Sequence, residues 1–373
     1  MITATIQTYG PTIRELRIPR GAAASLRSDL KYYMGTMDLS TEAKQINFAD
    51  EYKWLLNYHV PDIACLINTL QTKGTGAEVL LIHDIPGSED DKNLTRCKIL
   101  SLMLSLTFGD GYGPMQFRQE KKGEVVCPLY VIPERAKDES GNGQREFGHH
   151  ADFCHTANSG GNPDVAGRPN FAILFGIEGD GTATTYTSVA EVVEAALSED
   201  ALRVLMEARF ETQIPDEMGL GSGRTSGPMS VIWLTRHREF GISVRSSTRP
   251  LRPDDTEAAE ALAMLQSALV RYERRFVLQS NVCAIVSNIR GTHSRGEITN
   301  PGKRLILRTY VGPLDVLREN AFVFDMEQCL PPAGRNDYWI PSSPVLKTNG
   351  ATQASQGIKP GESSRNRISD ASV

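Results

Sequence analysis

The sequence contains no apolar run as long as the roughly 18 residues that a membrane-spanning helix needs, and its first twenty residues lack an apolar signal-peptide core. None of its six cysteines forms a Cys-x-x-Cys pair, which argues against a zinc cluster. Their wide scatter fits a reduced chain better than a disulfide framework. The net charge of -5 gives no reason to expect a nucleic-acid partner. We therefore expect a cytoplasmic globular protein, without membrane or nucleic-acid partners, that acts on a small molecule.

Hydrophobic periodicity divides the chain into a helical part over about 20–110 and a strand-rich part over about 110–312. One buried strand, in AEVLLIHDIPG, interrupts the helices, and helical inserts interrupt the strands. The last of these inserts opens at Pro253 and Asp254. Its apolar face is predicted to contain Leu262, Leu265, Leu269, Tyr272 and Phe276.

The short strands do not alternate regularly with helices, which favours a closed antiparallel architecture over a doubly wound sheet. The predicted fold class is mainly β with flanking helices around a double-stranded β-helix, or jelly-roll, core. Residues 1–340 are expected to form a single domain. The polar segment 341–373, rich in Gly, Ser and Pro, is predicted to be a disordered tail.

The stretch EFGHHADFCHT, residues 146–156, suggests a metal site. Non-haem iron is commonly held by two imidazoles and one carboxylate, and residues two apart on a strand point the same way. Strand alternation pairs His150 with Asp152 and turns His149 away. His155 lies beyond the expected strand end, where a turn hydrogen bond is predicted.

The His-x-acid pattern has little specificity, because about one match is expected by chance in a chain of this composition. A second match, at His237 and Glu239, has no supporting arginine strand. The other imidazole is expected from His293, in a polar turn between two apolar strands. The strand after it places Arg304 and Arg308 on one face. A buried dicarboxylate would meet them, although ion pairs on an edge strand fit equally well.

Four segments in order, QREFGHHADFCH, FGIEGDGTATTYTS, RFETQIPDEM and SNIRGTHSRGEITNPGKRLILRTYV, resemble the clavaminate synthase-like branch of the taurine dioxygenase superfamily. The resemblance covers about residues 75–312 and implies Fe(II) as cofactor, with 2-oxoglutarate and O2 as cosubstrates. It implies that the metal ligands and catalytic residues are His150, Asp152 and His293.

The same resemblance implies roles for further residues. Arg304 would bind the far carboxylate of 2-oxoglutarate, and Thr184, or its neighbour Thr185, would place a hydroxyl beside it. Arg308 would bind an acidic group of the substrate. The polar turn that supports the distal histidine would contain Asn288 and Arg290.

The implied enzyme is a 2-oxoglutarate-dependent non-haem iron dioxygenase. It would hydroxylate an amino acid or an amino-acid-derived small molecule in natural-product biosynthesis. Asp152 stands where this branch usually has glutamate, which leaves the substrate class open, while the presence of a carboxylate ligand disfavours halogenation. Desaturation, epoxidation and cyclisation remain alternatives. So do a cupin-type metalloprotein that uses no 2-oxoglutarate and a non-catalytic jelly-roll metal-binding protein.

Overall fold

A computed structural model describes residues 5–9, 12–72, 76–87, 94–109, 111–117, 124–156, 168–215, 218, 223–235, 238–313 and 323–324. These residues belong to one compact unit. The predicted tail, 341–373, lies outside them, so the expected domain limits stay a prediction. Among the described residues, none of the helices combines the length and the apolar character that crossing a bilayer requires.

Eight α-helices occur in the described part of the chain. They are α1 Arg20–Met34, α2 Glu42–Tyr52, α3 Trp54–His59, α4 Asp62–Gln71, α5 Thr95–Leu106, α6 Val189–Ala196, α7 Glu199–Leu205 and α8 Thr256–Arg271. The first five form the N-terminal helical part that the periodicity predicted.

The described strands are mostly short. They are β1 Thr5–Tyr9, β2 Ile13–Arg17, β3 Val79–His83, β4 Tyr112–Phe117, β5 Val126–Leu129, β6 Phe147–His150, β7 Phe171–Glu178, β8 Ala183–Ser188, β9 Phe210–Glu211, β10 Ile232–Leu234, β11 Phe240–Ile242, β12 Arg249–Pro250, β13 Arg274–Val277, β14 Val282–Ser287, β15 Gly291–Arg295, β16 Leu305–Pro313 and β17 Val323–Phe324.

Two sheets build the core. The larger has the order β1-β2-β3-β14-β7-β16-β4-β17, with β5 also paired to β16, and the smaller has the order β13-β8-β15-β6. All pairs are antiparallel except β2 with β3 and β17 with β4. The predicted mainly β architecture with flanking helices is confirmed.

The central strands of the larger sheet are buried on both faces. In β3, Val79 and Leu81 pack between the two sheets, whereas Leu80 and Ile82 pack against the helical layer. Strands β7 and β14 alternate in the same way. Because successive side chains leave a strand on opposite faces, a continuous apolar run is what such a doubly covered strand requires.

The last helix ends earlier than the periodicity predicted. Helix α8 stops at Arg271, its N-cap is Asp255, and Tyr272 is its C-cap residue. Phe276 lies instead in β13, opposite Thr184 of β8, and contributes to the core between the sheets. The prediction that Phe276 lies on the helix face was wrong, because cross-strand pairing decides where this helix gives way to a strand.

Candidate metal centre

Three potential metal ligands meet in the smaller sheet. His150 ends β6 and lies directly opposite His293 of β15. The Nε2 atoms of His150 and His293 lie 3.8 Å and 3.4 Å from the two carboxylate oxygens of Asp152. One ligand atom from each residue lies within 4.8 Å of the others. The structure therefore brings together the three residues that the sequence nominated.

Asp152 reaches this position from a turn. Strand β6 ends at His150, so the alternation used to pair the two residues does not extend as far as Asp152. The backbone turns there, and Phe153 adopts a positive φ of 55°. The N–H of Ala151 donates to the carbonyl of Val244 at 2.9 Å, which anchors the turn. The expected pair is thus correct, although a turn produces it.

The protonation states suit a metal. Burial, together with the neighbouring His293, holds the pKa of His150 well below its ordinary value, so the imidazole is neutral. Burial acts to raise the pKa of Asp152, but His293 and His150 outweigh it and lower that pKa to about 2. Neutral imidazoles and an ionised carboxylate are the forms that bind divalent metal ions.

The orientation of the ligand atoms of His150 and Asp152 also suits an iron ion. The Nδ1 atom of His150 lies 2.8 Å from the carbonyl of Gly148, which leaves Nε2 directed toward Asp152. The Oδ2 atom of Asp152 is buried without a well-aligned hydrogen-bond partner among the described residues. Such an oxygen is costly unless a cation or donor meets it. Two imidazoles and one carboxylate on one side are the ligand set of non-haem Fe(II) sites.

A cavity opens beside these ligands. The described residues that line it include Leu129, Phe147, Leu174, Thr184, Leu278, Ser294, Arg295, Arg304, Ile306 and Arg308. The expectation that Arg304 and Arg308 share one face is confirmed. Arg308 lies in β16 and Arg304 immediately precedes it; this strand lies inside the sheet between β7 and its partners β4 and β5, so the edge-strand alternative does not apply.

Each of the two arginines lies near a carboxylate of the described residues. Nη1 of Arg304 lies 3.7 Å from Asp180, and Nη1 of Arg308 lies 4.0 Å from Asp152. The guanidinium of Arg308 also lies over the ring of Tyr310, 4.5 Å from its centroid. Burial lowers the pKa of both arginines. Two largely buried cations beside a cavity favour an anionic ligand there.

Neighbouring threonines face opposite ways on β8. Thr184 lines the cavity, whereas the hydroxyl of Thr185 lies 2.6 Å from that of Ser294. The sequence left open whether Thr184 or Thr185 would place its hydroxyl beside the cosubstrate. Of the two, Thr184 is the one that lines the cavity.

Asn288 supports Asp152 and makes no described contact with His293. Its Oδ1 accepts the N–H of Asp152 at 2.7 Å, and its Nδ2 donates to the carbonyls of Asp152 and Pro169, both at 2.9 Å. Arg290 points elsewhere and donates to the carbonyls of Leu70 and Ala77, so it ties helix α4 to the sheet.

The remaining histidines have different surroundings. His149 points away from the ligands, with Nδ1 3.2 Å from the Thr292 hydroxyl and Nε2 3.6 Å from Glu273. His155 lies in a 3-10 turn, and neither ring nitrogen has a hydrogen-bond partner among the described residues. The predicted turn hydrogen bond of His155 is therefore wrong. His237 lies outside the described residues.

Arg295 also borders the cavity, and the sequence analysis missed it. Its guanidinium donates to the backbone carbonyls of Ser140, Gly143 and Arg145 at 3.2, 3.2 and 2.8 Å. Burial lowers its pKa to about 10. These bonds fix the segment that contributes Gly141 to the cavity wall. The one sequence signal for Arg295 was its position two residues after His293, which places the two side chains on the same face of a strand.

Comparison with known proteins finds a similar fold in solved structures of non-haem iron oxygenases. No family model and no curated protein matches the sequence. A structure of asparagine oxygenase with Fe(II), 3-hydroxyasparagine and succinate is similar, with a TM-score of 0.69 and 20% identity over 83% of this chain and 99% of that chain. The non-haem iron oxygenase OrfP with Fe and alpha-ketoglutaric acid has a TM-score of 0.63 and 17% identity over 82% and 95%.

A third similar structure is OrfP with Fe, succinate and (3S)-hydroxy-L-Arg, with a TM-score of 0.62 and 15% identity over 79% of this chain and 93% of that chain. At these identities the likeness establishes the fold. The chain has the jelly-roll fold of the clavaminate synthase-like oxygenases, as the sequence resemblance implied.

Proposed function

We propose that this chain is an Fe(II)- and 2-oxoglutarate-dependent dioxygenase. Its reaction is the hydroxylation of an amino acid or an amino-acid-derived small molecule in natural-product biosynthesis. The observation that carries the proposal is the convergence of His150, Asp152 and His293 beside a cavity that also contains Arg304. The similar structures, which hold iron with 2-oxoglutarate or succinate, support it.

In this mechanism, His150, Asp152 and His293 would hold iron beside the cavity. When bound, iron would supply the oxidative chemistry, in which O2 and 2-oxoglutarate are consumed, succinate and CO2 are released and the substrate is hydroxylated. Arg304 would hold the far carboxylate of the oxo acid through its planar pair of donors, and the hydroxyl of Thr184 would lie beside it. The surrounding apolar side chains, such as Leu129 and Ile306, keep water out.

The protein surroundings maintain these roles. Asn288 fixes the turn that presents Asp152, and the carbonyl of Gly148 fixes the ring of His150. Partners of this kind hold metal ligands in their binding orientation. Arg308 is buried and lies two residues after Ile306 in β16, where it could bind a carboxylate of the substrate.

We assign the catalytic domain to residues 1–340 and the location to the cytoplasm. The five described cysteines form no disulfide with one another, as expected for a reducing compartment. Desaturation, epoxidation or cyclisation would use the same residues, and product analysis distinguishes them from hydroxylation.

The test begins with metal-free protein, to which Fe(II), 2-oxoglutarate and candidate amino acids are added. Succinate release and oxygen uptake should be stoichiometric. His150→Ala should abolish iron binding, whereas His237→Ala should not. Arg304→Ala should raise the KM for 2-oxoglutarate at least about tenfold, because it removes a charge-assisted bidentate contact.

Three kinds of result would reject the assignment. Iron binding that survives in His150→Ala, or is lost equally in His237→Ala, would contradict the choice of ligands. Iron binding without any 2-oxoglutarate turnover would instead favour a non-catalytic metal-binding protein. Turnover that Arg304→Ala leaves unaltered would favour a cupin-type reaction.

A further inference from the structure

The turn between β7 and β8 carries a buried carboxylate. Strand β7 ends at Glu178 and β8 begins at Ala183, and the side chain of Asp180 between them is only 2% exposed. Gly179 allows this burial, because a Cβ there would lie 2.6 Å from the carbonyl oxygen of Leu278, one of the residues that line the cavity. The turn therefore packs against the cavity wall and places Asp180 inside the protein.

The turn itself fixes both carboxylate oxygens of Asp180. Oδ1 accepts the backbone N–H of Thr182 at 3.2 Å, and Oδ2 accepts the hydroxyl of the same residue. An aspartate that bonds the residue two positions later forms an Asx turn, and Gly181, with a φ of 81°, supplies the backbone conformation between them. The negative charge of Asp180 is thus held at one position.

Arg304 lies beside this fixed charge. Its Nη1 is 3.7 Å from Oδ1 of Asp180, which is close enough for an ion pair but too long for a hydrogen bond. Burial lowers the pKa of Arg304, and Asp180 acts against that shift, so it favours the charged guanidinium. The carboxylate therefore attracts Arg304 without occupying the N–H donors that a ligand in the cavity would need.

Strand pairing keeps the turn and the arginine together. Glu178, two residues before Asp180, lies opposite Leu305, the residue that follows Arg304. Thr184, on the other side of the turn, lines the cavity together with Arg304. The same connection between β7 and β8 therefore supplies the charge beside Arg304 and the hydroxyl that is expected beside the cosubstrate.

A second cation makes a fixed carboxylate necessary here. Arg295 lines the same cavity, and burial and the charge of Arg304 lower its pKa to about 10, whereas Asp180 acts in the opposite direction. Two like charges in a poorly solvated region repel one another. Without Asp180, this repulsion would displace the side chain of Arg304, because Arg295 is held by its bonds to backbone carbonyls.

We propose that Asp180 is a positioning residue for Arg304. It holds the guanidinium in the orientation that receives the far carboxylate of 2-oxoglutarate, and it does so without competing for the donors. This inference rests on the proposed function, which assigns that carboxylate to Arg304. A competing carboxylate would instead weaken the binding of 2-oxoglutarate, so removal of the charge distinguishes the two roles by the sign of the change.

The first test is Asp180→Asn, which keeps the shape of the side chain and an acceptor for the turn but removes the charge. 2-Oxoglutarate is titrated calorimetrically, without oxygen, into wild-type and variant protein loaded with Co(II). The Kd for 2-oxoglutarate should rise about tenfold, the effect typical of losing a residue that orients a binding group. The affinity for Co(II) should stay the same, because Asp180 is not one of the three grouped ligand residues. A Kd for 2-oxoglutarate that is unchanged or lower overturns the proposal.

Asp255→Asn is the matched control. The side chain of Asp255 is 5% exposed, pairs with Nε of Arg209 at 2.9 Å and accepts the N–H of Ala258 at 3.1 Å. Asp255 is not among the described residues that line the cavity, so this variant should bind 2-oxoglutarate as the wild type does. An equal rise of the Kd in Asp255→Asn would mean that the effect is a general loss of stability, and it would overturn the proposal.

Two further variants test the route of the effect. In Arg304→Ala, whose affinity for 2-oxoglutarate is already reduced, adding Asp180→Asn should cause no further loss, because Asp180 acts through Arg304. A further loss of about tenfold would overturn the assignment. If Asp180→Asn does not fold, Thr182→Val decides the question. It removes the hydroxyl that holds Oδ2 of Asp180 and should raise the Kd about twofold to fivefold, whereas an unchanged Kd overturns the proposal.

Turnover separates this inference from the proposed function. With Fe(II) in air, Asp180→Asn should raise the KM for 2-oxoglutarate and change the maximal rate of succinate release much less. Succinate release with a KM that Asp180→Asn leaves unaltered would keep the proposed function and reject the inference. Binding of 2-oxoglutarate that depends on Asp180, without succinate release, would reject the proposed function and support the inference. A wild-type protein that does not bind 2-oxoglutarate would reject both.

Discussion

Replacing Asn288 with alanine removes the side chain that fixes Asp152. The amide of Asn288 is completely buried and bonds both backbone groups of Asp152, at 2.7 and 2.9 Å, as well as the carbonyl of Pro169. The two residues are 136 positions apart in the chain. The contact thus joins the turn carrying the carboxylate to the segment leading into β15.

The expected loss of stability follows from these three bonds. A net contribution of about 1 kcal/mol each gives about 3 kcal/mol, and buried partners left unsatisfied raise the loss toward about 5 kcal/mol. The turn would also lose its fixed orientation. Loss of a residue that orients a metal ligand typically weakens metal binding by about 10–100-fold.

Urea unfolding of the metal-free protein and titration with Co(II) measure the two effects. Asn170→Ala is the control, because the described side-chain bond of Asn170 goes to the Tyr112 hydroxyl at 3.3 Å and not to Asp152. This variant should lose about 1 kcal/mol or less and keep its metal affinity. If Asn288→Ala binds Co(II) as tightly as Asn170→Ala, the turn does not depend on this amide and the reasoning is refuted.

Three further predictions concern buried polar groups. The free energy of unfolding of the metal-free protein should fall by about 2 kcal/mol between pH 6.5 and 5 because of His155. Over this range the unfolded imidazole takes up a proton, whereas the folded imidazole, with its pKa of about 3, does not. His155→Gln should lack this loss in urea unfolding, and identical losses would contradict the assignment. Burial raises the pKa of Glu78 to about 7, so wild-type stability should fall between pH 4.5 and 7 as the unfolded carboxyl ionises first. Thermal unfolding at pH 5 and 8 should show that Glu78→Gln lacks this decline, and an unchanged decline would refute it. Thr184→Val should raise the KM for 2-oxoglutarate about fivefold, which is the effect of one hydrogen bond, whereas Thr185→Val should leave it unchanged. Equal KM values in the two variants would contradict the role of Thr184 beside the cosubstrate.

Local sequence patterns determined much of the architecture. The apolar run AEVLLIHDIPG predicted the buried strand β3, and the strand-rich pattern over about 110–312 predicted the region that contains β7 and β14, because side-chain alternation is a local property of the chain. Helices α1–α5 were likewise predicted by periodicity. The end of α8 was not, since Phe276 joins β13 through pairing with Thr184 across the sheet.

The candidate site was determined only in part by the sequence. Spacing nominated His150 and Asp152, and the resemblance nominated their partners, but neither could show that His293 lies opposite His150. That neighbourhood depends on the register between β6 and β15, which are distant in the chain.

The tertiary structure alone decided which polar groups are satisfied. Folding gives Asn288 the backbone of Asp152 as its partner and turns Thr185 toward Ser294. It also leaves the Nε of Arg245 without a hydrogen-bond partner among the described residues. Hydrogen bonds and ion pairs depend on distances of a few ångströms between segments that are remote in sequence, and local propensities contain no information about those distances.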